Sequence, residues 1–340
     1  MFQSPGKLIK RLVVTLAVTG SVGMANAQAA DQEILNSSYD IARELFASYN
    51  ELFTQHWLDE SGKTVEIKQS HGGSSKQAQA IIQGLRADVV TYNQVTDVDI
   101  LHQRGNLIPA DWRERLPNAS SPYYSTMAFL VRKGNPKNIR NWDDLVRDDV
   151  SSVLPNPKTS GNGRYTYLAA LGYAQKTFGD DQTAIDEFLR NFLGNVAVFD
   201  TGGRGATTTF IERGIGDVLL TFESEVNNIA AQYPPGEYQV VVPKVSFLAE
   251  FPVTWIDRNV ERNGTADVAR EYLEYLYSEE AQRLIAGFNY RVHDEAVKAE
   301  FADRFPELEL LPIEEITGDW ATAMTVHFGS GGKLDQLQRR

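Results

Sequence analysis

Four times along this chain a short β-rich run gives way to a small polar loop and then to a helix-patterned run. "EILN" leads through "SSYD" into "IARELFASYNELFTQHW", and "TVEIKQ" leads through "SHGGSS" into "KQAQAIIQGL". "SSVLPNP" leads through "KTSGNG" into "RYTYLAALGYAQKTF", and "NVAVFD" leads through "TGGRG" into "ATTTFIER". Ile41, Leu45, Tyr49 and Leu52 lie on one helical stripe, as do Ala78, Ile81, Ile82 and Leu85. In the third helix Tyr165, Leu168, Ala169 and Gly172 form the face, and Gly214 is placed to close the fourth as a C-cap. Short buried strands, "ADVVTY" and "DVLLTF", follow the second and fourth units, and "YQVVVP" and "FPVTWID" add two more. Such alternation predicts an α/β fold of mostly parallel sheet flanked by helices. The tail predicts a helix within 265–288 and a last one around 313–325.

The four loops are where function is expected. In open α/β sheets ligands bind beyond the carboxyl ends of the strands. Helix N-termini there offer unpaired N–H groups and the positive end of the helix dipole. Glycine lets the backbone come close to a ligand, and serine or threonine adds a hydroxyl. Loops of this kind converging from two lobes would make a closed anion site in a protein of negative charge. The lysine in "SHGGSSKQ" suggests a nucleotide cradle, but Lys76 follows Ser75 without the glycine of the G-x-x-x-x-G-K-[ST] motif. Nor does the loop carry G-x-G-x-x-G. No G-x-S-x-G elbow is present, and "TSGNG" lacks its leading glycine. His56, His71, His102, His293 and His327 are scattered, with no metal-binding pair. His71 reads as structural, orienting its loop. Arg164 and Arg204 follow the glycine loops of the second half, either bracing them or pairing with surface carboxylates. Glu223 and Glu225, in "FESE", read as interlobe contacts or as partners for arginines.

The N-terminus carries Lys7, Lys10 and Arg11, then the apolar run "LVVTLAVTGSVGM", then small residues at Ala25, Ala27 and Ala29. This is the layout of a cleavable signal peptide over 1–27, with a second cleavage choice after Ala29. The chain of 340 residues has a formal charge of -12, and without its leader it is three units more negative. So acidic a protein will not follow nucleic acid or an anionic membrane by general electrostatics. It has no cysteine, which excludes thiol catalysis, iron–sulfur clusters and Cys-zinc sites.

"LNSSYDIARELF", "QSHGGSSKQA", "ADVVTYNQVTDVDIL", "PNPKTSGNGRYTYLAA" and "DTGGRGATTTFIERGIGDVLLTFESEVNNI" together resemble the periplasmic sulfate/thiosulfate-binding proteins of ABC importers. The similarity runs over nearly the whole chain after the leader and is greatest to the thiosulfate-binding branch. It implies a two-lobe type II binding-protein fold, with lobe one formed by 31–122 plus 252–340 and lobe two by 123–251. It implies an anion held by the backbone N–H groups of Asp40, Ser74, Gly161, Asn162 and Gly203 and by the Ser160 hydroxyl. Ser38, His71, Arg164 and Arg204 would support these. Phe222 stands where sulfate-binding relatives have a tryptophan whose indole N–H reaches the anion, and Asn162 replaces the second glycine of an S-G-G turn. The resemblance further implies a monomer without cofactor, metal or catalysis, delivering thiosulfate or sulfate to a membrane permease and its ATPase. Other readings are a binding protein for phosphate, molybdate or tungstate, and an exported sulfur-anion enzyme, for which the chain shows no nucleophile.

Overall fold

The computed structural model describes residues 30–338, so the expected leader lies outside the described residues. The first polar unit gives strand β1 (Gln32–Tyr39), a 3-10 turn at Asp40–Ala42 and helix α1 (Arg43–Ser61). The second gives β2 (Val65–Gly72), α2 (Ser74–Ile82), β3 (Val89–Thr91) and α3 (Val95–Gln103). β1 pairs in parallel with both β2 and β3, as a strand–helix–strand sequence requires. A short helix, α4 (Pro117–Ser120), precedes the crossing strand β4 (Tyr123–Ser125).

Beyond β4 the chain builds a second sheet from β5 (Met127–Arg132), β6 (Ser152–Pro155), β7 (Val196–Asp200), β8 (Val218–Phe222) and β9 (Tyr238–Val241). Helices α5 (Gly161–Phe178), α6 (Gln182–Gly194), α7 (Gly203–Ile211) and α8 (Glu223–Ala231) connect or follow these strands. Its order is β7-β6-β8-β5-β9. β6 is parallel to β7 and β8, but β5 is antiparallel to β8 and β9, so this sheet is more mixed than the strand–helix alternation predicts. The cause lies in the path of the chain. β5 arrives from β4 and starts where β8 ends, with Met127 opposite Phe222. The return crossing repeats this. After β10 (Val245–Phe247), β11 (Ala249–Glu250) pairs with β4, and β12 (Val253–Trp255) joins the first sheet antiparallel to β3. β13 (Arg291–Val292) completes the small sheet on β4.

The predicted tail helices are shorter than expected. Ser278 accepts from the Ala281 N–H and caps Glu279–Gly287, which splits the 265–288 segment. Gly318, at φ 85°, interrupts the 313–325 segment. The tail also does not stay with the first sheet, as the expected division has it. β14 (Glu309–Leu311) pairs with β10, and the final helix Lys333–Gln338 reaches α6 through the Lys333–Asp186 ion pair. The reason is α5, where every residue from Gly161 to Gly172 is buried. A helix buried on every side needs cover on more than one, and Leu311, Ile316 and Trp320 supply part of it. Gly172 allows the contact, since a Cβ there would lie 2.7 Å from Leu311 Cδ1.

His327 docks in this tail, its Nδ1 3.0 Å from the Tyr167 hydroxyl. Burial, and then Lys333, push its pKa down to about 4. The native state therefore holds it neutral, while the unfolded chain takes up a proton near pH ~6.5. The stability this contributes at neutral pH is lost as pH falls from about 6.5 towards 4, at up to about 1.4 kcal/mol per pH unit. Urea midpoints of wild type and His327→Gln at pH 7 and pH 4.5 check this. The wild type should lose more on acidification than the variant.

Candidate functional site

Three of the four polar loops run into the first turns of their helices, whereas "SSYD" ends β1 and enters the 3-10 turn at Asp40. α2 begins at Ser74, α5 at Gly161 and α7 at Gly203. Their first intrahelical bonds run from Gln77 N to Gly73 O, from Arg164 N to Ser160 O and from Ala206 N to Gly202 O. The preceding N–H groups of each first turn have no acceptor within the helix. None of these helices, nor the turn at Asp40, is closed by a side-chain cap. Ser160 has the chemistry of a cap, yet its hydroxyl does not bond back to α5. Asp181 does cap α6, accepting from Ala184 N at 3.0 Å.

These unfinished helix starts meet at one cavity of ≈ 430 Å³. Asp40, Ser74, Ser160, Gly161, Asn162 and Gly203 line it, with Lys76, Asn93 and Arg204. First-sheet and second-sheet loops thus face each other across it. Glycine at 161 allows this close approach, because a Cβ would sit 2.9 Å from Gln94 Oε1 and 3.2 Å from Gln94 Cβ. The Asp40 carboxylate, an awkward neighbour for an anion, spends Oδ1 on the Ile41 N–H at 3.0 Å. The Ser74 hydroxyl donates to Asn93 Oδ1 at 2.8 Å, leaving its backbone N–H as the free donor.

Of the remaining expected residues, Ser38, His71, Arg164 and Phe222 stand outside the lining, and Arg204 is part of it. Ser38 is buried in β1, donating to Thr91 O. His71 Nδ1–H donates to Tyr39 O at 3.1 Å and so holds the carbonyl before Asp40, while burial lowers its pKa. Arg164 is buried in α5 with Nε and Nη1 unpartnered. Its charge lies near Asp97, whose carboxyl is pushed up by burial, against the pull of Arg164 and a bond from Ser75 at 2.6 Å. Arg204 bridges to Asp40 O and to Glu44. It is thus both a loop brace and half of an exposed ion pair. Phe222 is fully buried and is not a lining residue. Its ring packs edge-on to Tyr165 at 5.8 Å and lies 5.2 Å from Phe251. Lys76 lines the cavity from an exposed position. Asn93 and Gln94 were not singled out by the sequence reading. The signal available was their place directly after the buried run "ADVVTY". Glu223 does pair with an arginine, Arg291, whereas Glu225 is held by threonines.

The sequence pattern of the bacterial extracellular solute-binding proteins matches residues 40–291. The chain belongs to this family. It is 59% identical to the thiosulfate-binding protein of Escherichia coli (strain K12), over 95% of this chain and 96% of that protein. It is 45% identical to the sulfate-binding protein of the same strain, over 96% and 98%. Among solved structures, the sulfate-binding protein SubI from Mycobacterium tuberculosis H37Rv superposes with a TM-score of 0.74 at 29% identity, covering 86% of this chain and 97% of that one. The periplasmic thiamin binding protein, at 17% identity and a TM-score of 0.61, shares the fold. This solute-binding protein therefore has the two-lobe type II architecture, and its cavity lies where loops of both sheets converge.

Proposed function

We propose that this protein captures thiosulfate and sulfate in the periplasm and delivers them to an ABC importer, without catalysis. The observation that carries this reading is the set of uncapped helix starts lining one cavity. Their N–H groups need acceptors that the protein does not supply. In this reading the donors are the N–H groups of Asp40, Ser74, Gly161, Asn162 and Gly203 and the Ser160 hydroxyl. His71 and Arg204 hold the Asp40 turn, Arg164 lends positive potential beneath α5, and Ser38 steadies the end of β1. The names of the relatives support the ligand class, and the membership of an extracellular family supports the location.

A cavity of donors favours an anion that carries no proton. Hydrogen phosphate brings an O–H that needs an acceptor, and leaving it unpaired costs about 1–3 kcal/mol. Calorimetry should therefore show phosphate binding about tenfold or more weakly than thiosulfate or sulfate. Affinity for the two sulfur anions should change little between pH 6 and 8 and not respond to Mg²⁺. Burial lowers the pKa of His71 and so favours its neutral form. Tighter binding of phosphate or molybdate would overturn the ligand assignment, and turnover of thiosulfate with cyanide would revive the enzyme reading.

A further inference from the structure

A carboxylate packs behind the cavity lining, against Gly203, and a site built only of anion donors does not use it. Glu225, on α8, is 9% exposed and forms no ion pair among the described residues. A Cβ built on Gly203 would lie 3.2 Å from Glu225 Oε2 and 3.4 Å from Asn162 Nδ2, so the three groups meet at one point beside the cavity. A buried negative charge there works against an anion, and the hydrogen bonds show what it does instead. Its Oε2 accepts from the Thr221 hydroxyl at 3.0 Å, and that hydroxyl accepts from Asn162 Nδ2 at 2.7 Å. Its Oε1 accepts from the Thr207 hydroxyl at 2.9 Å. Asn162 lies in the first turn of α5 and Thr207 in the second turn of α7.

We propose that Glu225 is a positioning residue for the anion cavity, tying the start of α5 to the start of α7 so that their N–H donors keep one spacing. The proposal rests on the reading of the cavity as an oxyanion site. A carboxylate suits the task because it accepts at two oxygens at once and competes for no N–H donor in the cavity. Asn162 gives α5 its attachment point. A glycine at that position would offer the same backbone N–H but nothing for Thr221 to hold. The expected effect is on donor geometry in the second lobe, and thus on both anions alike.

The test is calorimetry of the full mature chain with sodium thiosulfate and with sodium sulfate, for wild type, Glu225→Ala and Glu225→Gln. Both variants remove the same negative charge. Glu225→Ala should bind both anions about tenfold or more weakly, as expected for losing hydrogen bonds to a charged group. Glu225→Gln should stay within about threefold of wild type, because its amide oxygen can accept from Thr221 while its NH₂ donates to Thr207. The amide resonances of Gly161 and Gly203 in the free protein should move in Glu225→Ala and return in Glu225→Gln. An electrostatic role predicts that both variants tighten, and a packing role predicts lower stability with unchanged affinity. Either result would overturn the proposal. If Glu225→Ala does not fold, Thr221→Val cuts the α5 arm alone and should weaken both anions while moving Gly161 more than Gly203. Unchanged binding in that variant would also overturn the proposal. Failure of the wild type to bind either anion would remove the oxyanion reading itself, and this proposal with it.

Discussion

Gly161→Ala should weaken thiosulfate and sulfate binding by about tenfold to a hundredfold while leaving the unfolding midpoint of the free protein nearly unchanged. The added methyl would lie 2.9 Å from Gln94 Oε1 and 3.2 Å from Gln94 Cβ, as well as 3.3 Å from Asn93 Oδ1. Gln94 and Asn93 follow β3 of the first sheet, and Gly161 opens α5 beside the second. The collision is thus between lobes and not within one. A turn of the Gln94 amide could relieve the oxygen contact but not the contact to its Cβ. Relief of that contact needs the two loops to separate by a few tenths of an ångström, which shifts the proposed donors relative to a small anion. Calorimetry paired with urea unfolding of the free protein separates this from simple destabilisation. Wild-type affinity in Gly161→Ala would mean that the close approach is dispensable.

The largest stability effect is expected at Arg291. Its guanidinium makes a two-pronged bond to Glu223, at 2.6 and 2.8 Å, and the side chains are 10% and 0% exposed. Arg291→Met leaves a carboxylate with no counter-charge in a dry site, at a cost of about 3–5 kcal/mol. The pair is not strongly stabilising relative to apolar packing, since each ion lost its hydration on burial. The double variant Arg291→Met, Glu223→Leu should therefore recover much of the loss. Guanidinium midpoints of the single and double variants check both statements. Equal losses in the two would show that the contribution comes from the packing of the arginine stem. Because β13 carries Arg291 and α8 carries Glu223, the pair also joins the two halves of the molecule beside the crossing strand β4.

The helix starts were legible because they depend on neighbours in sequence. Glycine and serine clusters between a strand pattern and a helix pattern have few local solutions. The loops that hold Asp40, Ser74, Ser160, Gly161, Asn162 and Gly203 are legible that way, the residues themselves follow from the resemblance to family motifs, and the structure brings them around one cavity. Phe222 was expected to face the ligand from its motif position alone, and its ring is instead absorbed by Tyr165 and Phe251. Asn93 and Gln94 lie inside the family motif "ADVVTYNQVTDVDIL" but at no position that the resemblance marks as ligand-binding. They matter because the other lobe presses a glycine against them. Of the two roles expected for Glu225, interlobe contact or arginine partner, the second is not met by an ion pair among the described residues, for a similar reason. The choice among cations and hydroxyls was made by what α7 and β8 placed beside it.

By itself, the sequence determined the strand–loop–helix units, the acidic and cysteine-free character, and the positions at which backbone N–H groups would be left without acceptors. These follow from local conformational preference and composition, which act within a few residues. The tertiary structure decided which of those groups share a cavity, and that β5 and β12 run against their neighbours after each crossing. It also decided that the tail covers α5 and that Glu225 links two helix starts. Those outcomes depend on contacts between residues tens to hundreds of positions apart, where burial and steric fit choose among arrangements that local preference leaves equal.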